Sequence, residues 1–267
     1  MPDDKHNLYA VVVIYNERCQ DSLTLNCLEK VDGLNITICD NSTKYFKNEE
    51  YAKEKNYLYI NMHGNKGLAV AYNRALERLK DRKGYVCIFD DDTFVPVEYF
   101  KVLDESIIKE NLDIYLPIVL DSVGMLSPCK ILNSCFVKRE KDLKNINKKN
   151  ITGINSAMAI NLKIFKEGYF YDEGYFLDYI DHDFIREMKK RNKNIGILNI
   201  KIKQNFSGNN FENKDASLKR FVIFKKDFKK FCSSNFFCKL YSFFVIIRRT
   251  LKFTLKFRTL DFIFKSY

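Results

Sequence analysis

The sequence predicts an α/β protein with a Rossmann-like, mostly parallel central sheet, flanking helices and a basic amphipathic C-terminal helical region. Short apolar runs alternate with helical patterns over the first 110 residues. The chain has 267 residues, of which 46% are hydrophobic and 30% charged, and this composition supports a full core rather than a disordered chain. Residues 218–267 hold 13 Lys or Arg but 2 Asp or Glu, which accounts for the formal net charge of +11. This basic segment therefore needs an explanation of its own.

Seven apolar runs predict strands buried on both faces, and four segments between them have helical spacing. The predicted strands are Tyr9–Tyr15, Ile36–Cys39, Tyr57–Ile60, Tyr85–Phe89, Ile114–Leu120, Ile154–Ile160 and Ile195–Ile200. The predicted helices are Ser22–Val31, Leu68–Leu79, Glu98–Lys109 and Ile180–Arg191. The alternation predicts βαβ units, and ligands of such sheets bind at the carboxyl ends of the strands.

Three further features of the sequence limit the class of protein. The charged stretch Val137–Asn150 predicts a mobile loop. The eight cysteines contain no C-x-x-C pair, so we expect reduced core thiols and a reducing compartment. The N-terminus lacks the pattern of a signal peptide, and no uncharged apolar run near the C-terminus approaches the ~20 residues that span a bilayer, so a cytoplasmic protein is expected.

Polar side chains follow the first two predicted strands. Tyr15, Asn16 and Glu17 follow the first strand, and Asp40 and Asn41 follow the second. At that edge of a sheet, a carboxylate can accept hydrogen bonds from a base or a ribose. Helix capping and turn formation are the alternative roles, and they are favoured for either segment taken alone.

The segment from His63 to Asn73 is a glycine-containing turn that leads into a helix of small residues. Backbone N–H groups at a helix start, with Lys66 beside them, suit a diphosphate. The segment does not have the G-x-G-x-x-G fingerprint of dinucleotide-binding proteins. A surface loop before an ordinary helix is the alternative interpretation.

Asp90, Asp91 and Asp92 stand together at the end of an apolar strand and give the strongest local signal in the sequence. Three neighbouring carboxylates repel one another and are costly to desolvate unless a cation neutralises them. They predict a Mn²⁺ or Mg²⁺ site that also holds substrate phosphates, with a solvated acidic turn as the alternative.

Five carboxylates surround aromatic residues between Asp172 and Asp183. Asp181 lies at a predicted helix start, where it could cap the helix or act as a general base over a bound donor. The adjacent His182 does not by itself make a metal site.

Six segments, in this order, carry a resemblance to a known family: YNE, CDNST, NKGLAVAYN, FDDDT, INSAMAI and FLDYIDHDF. The chain resembles the inverting nucleotide-sugar glycosyltransferases of family two, with the GT-A fold, and is most similar to rhamnosyltransferase-like bacterial members that build surface polysaccharides. The similarity covers about residues 8–210. It implies a catalytic domain at residues 1–217, with a nucleotide-sugar-binding half at 1–110 and an acceptor half at 111–217, followed by a membrane-association tail at 218–267.

The resemblance also assigns roles to residues of this chain. Asp181 would be the catalytic base, and Asp90 and Asp92 would be metal ligands as the outer members of the D-x-D motif. Donor-binding residues would be Tyr15, Asn16, Glu17, Asp40, Asn41, Lys66, Asp90 and Asp91. Acceptor-side candidates are Asn155, Asp178, His182 and Asp183. Where many members have a metal-ligating His after the last core strand, this chain has Gln204 and Asn205.

The implied reaction moves a sugar from a nucleotide-diphosphate sugar, of the UDP-hexose or dTDP-rhamnose type, to a hydroxyl of a lipid-linked glycan acceptor. Asp181 would take the proton of the hydroxyl while the nucleoside diphosphate leaves from the opposite face, which inverts the anomeric carbon. The divalent ion would offset charge on the leaving group.

The tail has a two-sided pattern at helical spacing. Its basic arc contains Arg248, Arg249, Lys252 and Lys256, and its apolar arc contains Phe243, Phe244, Ile247, Leu251, Leu255 and Phe257. This pattern predicts an interfacial helix on an anionic membrane surface, and so a peripheral protein on the inner face of the cell membrane. Packing of the apolar arc on the catalytic domain and a homodimer contact are the alternatives.

Two other functions compete with this interpretation. A haloacid-dehalogenase-like phosphatase also begins with a strand and D-x-D, but its pattern has Thr or Val where Phe94 stands. A nucleic-acid-binding protein would explain the basic, aromatic tail and leave the aspartates without a role. We therefore expect no nucleic-acid partner.

Overall fold

The computed structural model describes residues 7–204 and 213–265. Within these ranges twelve strands form two sheets. The strands are β1 Leu8–Ile14, β2 Asn35–Asp40, β3 Leu58–Asn61, β4 Tyr85–Asp90, β5 Thr93–Phe94, β6 Ile114–Asp121, β7 Gly124–Ser127, β8 Cys129–Leu132, β9 Phe136–Lys138, β10 Ile151–Thr152, β11 Met158–Asn161 and β12 Ile195–Gln204. The helices are α1 Leu23–Leu28, α2 Asn48–Glu54, α3 Leu68–Leu79, α4 Tyr99–Glu110, α5 Lys163–Lys166, α6 Ile180–Lys190, α7 Lys214–Phe231, α8 Phe236–Phe257 and α9 Asp261–Phe264.

The larger sheet has a parallel half and a mixed half. Strands β3, β2, β1 and β4 are parallel neighbours in that order, as the βαβ pattern predicts. β11 lies antiparallel between β4 and β6, β6 and β12 are parallel, and β5 pairs antiparallel with β12. The smaller sheet has the order β10, β8, β9. The carboxyl ends of β1, β2 and β4 therefore share one edge.

Helices cover both faces of the larger sheet. Along β1, Tyr9, Val11 and Val13 join a core that includes α3 and the C-terminal helices, whereas Ala10 and Val12 join a core with α1 and α4. Because both faces are covered, β1 is buried throughout, as its apolar run predicts.

Some predicted boundaries are wrong because local turn chemistry overrides the apolar pattern. The helix predicted at Ser22–Val31 is the shorter α1, which starts where the hydroxyl of Ser22 accepts a hydrogen bond from the Leu25 amide at 3.2 Å. The strand predicted at Ile154–Ile160 begins only at Met158, because Ala157 adopts a left-handed φ of +57° and turns the chain. β3 and β12 are partly exposed rather than buried on both faces. The sequence pattern did not predict α2, α5, β5 or β7–β10.

The stretch predicted as a mobile loop, Val137–Asn150, has regular local structure. Its first residues belong to β9, and its acidic Glu140 pairs with Lys130 of β8 at 2.9 Å. The side chains of Asn147 and Asn150 close a turn through bonds to backbone amides at 2.8–3.2 Å. Local polar contacts, rather than burial, order this segment.

One cysteine expectation is wrong. Cys135 and Cys238 form a disulfide between positions 103 residues apart, which joins the turn before β9 to α8. The spacing of cysteines along the chain could not reveal this pair. The other six cysteines are buried thiols, as expected of core residues.

The C-terminal helices pack against the preceding part of the chain through α7. Phe221, Phe224, Phe228 and Phe231 are buried in the same core as α3 and α6. The predicted boundary between residues 217 and 218 falls inside this helix. Among the described helices, none combines the length and apolar character needed to span a bilayer.

Helix α8 packs with one side only. Ser242, Ile246 and Phe253 are buried, while Phe243 and Phe244 remain 57% and 60% exposed. The placement of Arg249 on an outward basic arc is wrong, because its guanidinium lies 3.9 Å from the ring centre of Phe224. This guanidinium therefore packs on an aromatic ring of α7 rather than facing outward.

Candidate active site

The polar residues that follow β1, β2 and β4 lie together at one edge of the sheet. In the strand register, Ile14 pairs with Asp40 and Val13 with Asp90, which places the three strand ends side by side. The Tyr15 amide donates to Asp91 Oδ2 at 3.2 Å. The Asn16 amide donates to the hydroxyl of Ser42 at 2.8 Å, and Asn16 Oδ1 accepts from the amide and hydroxyl of Thr43. Glu17 lies beside this edge, where burial, and then the charges of Asp21 and Asp92, raise its pKa.

Asp40 is buried at the end of β2 and holds the adjacent turn. Its Oδ1 accepts the Ser42 amide at 3.0 Å, and its Oδ2 accepts Asn48 Nδ2 and the Tyr59 hydroxyl, both at 2.9 Å. A carboxylate has about four acceptor sites, so these three bonds leave room for one donor from a ligand. The structural role of Asp40 and a base-binding role are thus compatible.

Asn41 connects the end of β2 to the turn before α3. Its amide group donates to Asn65 at 3.1 Å, and its carbonyl accepts the Lys66 backbone amide at 2.8 Å. The side chain of Lys66 is exposed at this turn. The next residue, Gly67, has a φ of +87°, and the Leu68 amide that follows donates to the Phe176 carbonyl at 2.7 Å. The turn beside the strand ends therefore touches the segment that precedes α6.

The three aspartates after β4 lie in a partly closed, acidic environment. Burial, and then the charges of Asp92 and Asp181, raise the pKa of Asp90 to about 6. Burial, then Asp90 and Glu17, raise the pKa of Asp91 to about 7, although the Tyr15 amide opposes the shift. Burial also raises the pKa of Asp92.

The carboxylates of Asp90 and Asp92 differ in their hydrogen bonds. Asp90 accepts hydrogen bonds from Tyr72 at 3.2 Å, Ser156 at 3.4 Å and Gln204 at 3.3 Å. In contrast, Asp92 Oδ1 is buried without a hydrogen-bond partner. Among residues 7–204 and 213–265, no group of three His, Cys, Asp or Glu side chains is arranged to hold a metal ion alone. A cation here would need ligands beyond those of the described residues.

Asp181 lies in the first turn of α6, after Tyr179 in a left-handed conformation. Its Oδ1 accepts the amide of His182 at 2.7 Å, and its side chain is partly exposed. The charge of Asp181 contributes to the raised pKa of Asp90 and of the buried Tyr72. Asp181 therefore lies close enough to the three-aspartate turn for its charge to act on Asp90, although the chain separates them by about 90 positions.

The four acceptor-side candidates all have partners in the protein. Asn155 Oδ1 accepts the Tyr171 hydroxyl at 2.9 Å, and His182 Nδ1 lies 2.8 Å from the Thr152 hydroxyl. Asp178 forms a bidentate ion pair with Arg220 of α7. The buried Asp183 pairs with Arg186 and accepts the Tyr175 hydroxyl at 3.1 Å. These contacts fix the side chains in place around Asp181.

Three residues that bind Asp90 were not among the predicted site residues. They are Tyr72, Ser156 and Gln204. Tyr72 and Ser156 lie within quoted motifs, but an aromatic residue in an apolar helix and a serine before a strand resemble ordinary core and turn residues. Gln204, which also donates to Asp92, lies at the end of β12. The neighbouring Asn205, where many members have His, lies outside the described residues.

Comparison with known sequences identifies relatives. The profile of the family described as Glycosyl transferase family 2 matches residues 9–168. The dTDP-rhamnosyl transferase RfbF of Shigella flexneri is 26% identical over 188 residues, which are 67% of this chain and 62% of that protein. The chain thus spans less than two thirds of this relative's length.

Solved structures show the same fold at low sequence identity. The mannosyltransferase PcManGT from Pyrobaculum calidifontis, in complex with GDP-Man and Mn²⁺, has a TM-score of 0.59 and 12% identity over 88% of this chain and 66% of its own. GalNAc-T7 with UDP, GalNAc and Mn²⁺ has a TM-score of 0.59 and 17% identity over 76% of this chain and 44% of its own. S. aureus TarS 1-349 with UDP-GlcNAc has a TM-score of 0.55 and 15% identity over 84% of this chain and 66% of its own. The predicted GT-A fold is confirmed.

Proposed function

We propose, since this chain belongs to glycosyl transferase family 2, that it transfers a sugar from a nucleotide-diphosphate sugar to an acceptor hydroxyl with inversion at the anomeric carbon. The observation that carries the proposal is the proximity of Asp181 to the three-aspartate turn, close enough for its charge to raise the pKa of Asp90. A base on one wall and a diphosphate site on the other are what a single in-line displacement needs.

The donor would lie along the edge formed by β1, β2 and β4. Asp40 has one acceptor site left for a base or ribose donor, and the exposed Lys66 can reach phosphate oxygens from the turn before α3. The name of the relative RfbF supports a dTDP-rhamnose donor, and the ligands of TarS and PcManGT support UDP- or GDP-linked sugars in this fold. dTDP-rhamnose and UDP-hexoses are therefore the first donors to test.

The residues at the end of β4 fit a divalent cation. Asp90 and Asp92 would hold it, because their carboxylates are crowded and buried and Asp92 Oδ1 has no hydrogen-bond partner. Two carboxylates leave coordination positions for diphosphate oxygens and water, which suits Mn²⁺ or Mg²⁺. When bound, such an ion offsets the charge that grows on the leaving nucleoside diphosphate.

Asp181 would accept the proton of the attacking hydroxyl. Its carboxylate is partly exposed, and its Oδ1 is oriented by the His182 amide, so the other oxygen can face an acceptor. Tyr179 before it and the partnered Asn155 and His182 would shape the acceptor side of the cleft. The chemistry requires an acceptor hydroxyl, and we propose that a glycan supplies it.

The test of donor class is a thermal-shift screen, because a ligand that binds only the folded protein raises its melting temperature. UDP, dTDP, UDP-glucose, UDP-GlcNAc, dTDP-rhamnose and GDP-mannose would each be added with Mn²⁺, with Mg²⁺ and with EDTA. We expect one nucleotide family to raise the melting temperature, and more with the metal than without it. Stabilisation by none of them, together with release of phosphate from small phosphoesters, would favour the phosphatase alternative.

We further propose that α8 docks the enzyme on an anionic membrane surface, where a lipid-linked glycan acceptor would be presented. Its outward apolar residues are Phe236, Phe237, Leu240, Phe243, Phe244, Ile247, Leu251 and Leu255, all 39–77% exposed. At ~100° per residue these positions fill an arc of about 120° opposite the packed side. Arg248 and Lys252 are exposed on the border of this arc, where each would add about 1 kcal/mol near anionic lipid.

Vesicle sedimentation tests this docking with full-length protein. We expect binding to vesicles of phosphatidylcholine with phosphatidylglycerol, weaker binding to phosphatidylcholine alone, and loss of binding in the Phe243→Ser, Phe244→Ser, Leu251→Ser variant. The control replaces exposed apolar residues outside the C-terminal helices, in the variant Val97→Ser, Ile108→Ser, Val123→Ser. If the α8 variant binds vesicles like the wild type, or instead converts a dimer into a monomer, the apolar arc has another partner.

A further inference from the structure

Helix α7 holds the segment that carries the candidate base. The 172–179 loop precedes α6 and contains the consecutive residues Phe176, Leu177 and Asp178. Their three backbone amides all donate to the carboxylate of Asp227 on α7, at 3.1, 2.8 and 2.9 Å respectively. Asp227 is completely buried. A single side chain thus fixes the backbone of three residues.

Burying this carboxylate is costly unless hydrogen bonds compensate for the lost water. Three amide donors supply that compensation, and hydrogen bonds to an ionised acceptor are about twice as strong as neutral ones. The loop geometry and the buried charge therefore depend on each other. An asparagine at position 227 would keep the shape but offer one carbonyl oxygen and an NH₂ group to the same three donors.

Two more ion pairs join α7 to the 172–179 loop. Arg220 of α7 binds both oxygens of Asp178, and Lys230 binds Asp172 at 2.8 Å. With 3.6 residues per turn, positions 220, 227 and 230 lie within an arc of about 80° on one side of α7. The side of α7 that faces the loop is therefore lined with groups that hold it.

The loop contacts both sides of the candidate site. At its centre, the Phe176 carbonyl accepts the Leu68 amide at the start of α3, beside the turn that contains Lys66. At its end, two positions before Asp181, the ring of Tyr179 stacks on Phe228 and Phe231 of α7, with centroids 5.1 and 4.7 Å apart. A shift of the loop would change the position of Asp181 relative to the donor site.

We infer that Asp227 is a positioning residue of the transfer reaction, acting through the 172–179 loop on the placement of Asp181. The inference rests on the proposed function in taking Asp181 as the base. It gives α7, which the sequence assigns mostly to a membrane tail, a part in the catalytic geometry. Asp227 itself contacts neither donor nor acceptor, because it is buried behind the loop.

The experiment compares Asp227→Asn and Asp227→Glu with wild type in the full chain. The activity readout is turnover of dTDP-rhamnose or UDP-glucose, whichever donor the wild type uses, and the binding readout is calorimetry with dTDP or UDP. For Asp227→Asn we expect kcat to fall about 10- to 100-fold, the size of effect that a displacement near 1 Å produces, with nearly unchanged nucleotide affinity. Asp227→Glu, which keeps the charge, should recover part of kcat.

Phe221→Leu is the matched control for loss of stability. Phe221 is buried on α7 against Phe224, Phe253 and Phe262, so its truncation destabilises the helix without removing a bond to the loop. We expect a lower melting temperature and an unchanged kcat. Should Phe221→Leu lose kcat to the same degree as Asp227→Asn at a similar melting temperature, the role of Asp227 is only structural and the inference is wrong.

A measurement that does not use activity covers the case of a poorly folding variant. Hydrogen exchange of the Phe176, Leu177 and Asp178 amides should be slow in the wild type and should stay slow in Arg220→Gln, which leaves Asp227 in place. Fast exchange of these amides in the wild type, or unchanged kcat in Asp227→Asn, would each overturn the inference.

The double variant Asp181→Asn, Asp227→Asn separates this inference from the proposed function. If Asp227 acts through Asp181, the second substitution adds little to the first. If Asp181→Asn alone keeps the wild-type rate, the assignment of the base fails. Additive losses would instead mean that Asp227 acts by another route, which contradicts the inference.

Discussion

The two walls of the candidate site are built by different means. On the donor side, polar residues follow buried parallel strands, and the strand register alone brings Asp40 and Asp90 together. On the other side, Asp181 follows a loop whose backbone is held by α7 residues 42–51 positions further along the chain. A strand end is fixed by local pairing, whereas the second wall depends on the packing of distant segments. The two walls should therefore respond differently to substitution.

The largest expected effect is on the second wall. Asp181→Asn should reduce sugar transfer by about 10²–10⁴-fold, because a general base contributes that much. Nucleotide binding, measured by calorimetry, should remain close to that of wild type because the proposed donor contacts lie on the other wall. The reaction should be followed with the donor selected by the thermal-shift screen.

Glu187→Gln provides the control for Asp181→Asn on the same helix. Glu187 is partly exposed and pairs with Lys190 at 2.6 Å, and such surface pairs contribute little to stability. Its variant should keep the wild-type rate. A transfer rate in Asp181→Asn above about a tenth of wild type would remove Asp181 as the base, given the usual size of this effect.

On the donor wall, Asp92→Ala should weaken nucleotide binding in the presence of Mn²⁺ by about 10–100-fold and abolish stimulation by the metal. Asp92 Oδ1 has no partner in the protein, so its loss breaks no internal hydrogen bond of that atom. Titration of Mn²⁺ against nucleotide affinity measures the effect, with the exposed Asp21→Ala as control. Equal affinities for Asp92→Ala and wild type would show that Asp92 is not a metal ligand.

The same difference explains what the sequence could predict. Apolar runs that end in Asp40 or Asp90–Asp92 are local signals, so the parallel strands and the donor-side residues were accessible from the sequence. The link between Asp227 and the 172–179 loop was not, because one aspartate in a basic helix resembles any surface charge until the fold buries it. The Cys135–Cys238 disulfide and the contact of Arg249 with Phe224 could not be predicted for the same reason, since each depends on tertiary proximity alone.

The crowding of carboxylates on the donor wall should appear as a pH dependence of stability. The pKa of Asp90 is raised to about 6 in the folded protein, against about 3.9 for an unfolded Asp. A raised carboxyl pKa means that stability is fully present below about pH 4 and is lost as the pH rises through about 6. Asp90→Asn removes this titration.

In EDTA, the free energy of unfolding of Asp90→Asn should therefore increase relative to that of wild type by about 1–3 kcal/mol between pH 4 and pH 8. The pKa of Asp90 rises from about 3.9 to about 6 on folding, and each pH unit corresponds to ~1.4 kcal/mol. That gain corresponds to a rise of several degrees in melting temperature. The exposed Asp32→Asn is the control and should follow wild type at every pH. A difference between Asp90→Asn and wild type that does not change with pH would mean that Asp90 is not destabilised by its charge.

The smallest expected effect tests a direct contact between the walls, at Gly67. A Cβ added there would lie 2.8 Å from the Phe176 carbonyl oxygen, and the φ of +87° already disfavours alanine. Gly33 has a similar φ of +72°, but a Cβ there would meet nothing within 4 Å. Both substitutions to alanine cost backbone strain of about 1 kcal/mol, whereas Gly67→Ala must also displace the 172–179 loop.

Thermal unfolding should therefore show Gly67→Ala less stable than Gly33→Ala by about 1 kcal/mol, or some 2–4 °C in a chain of this size. The loss in stability should be accompanied by a lower transfer rate in Gly67→Ala alone, because the displaced carbonyl belongs to the loop that precedes Asp181. Equal stability and equal transfer rates for the two variants would mean that the loop yields without moving the base. The two walls would then be mechanically independent at this point, and α7 would be the main support of the second wall.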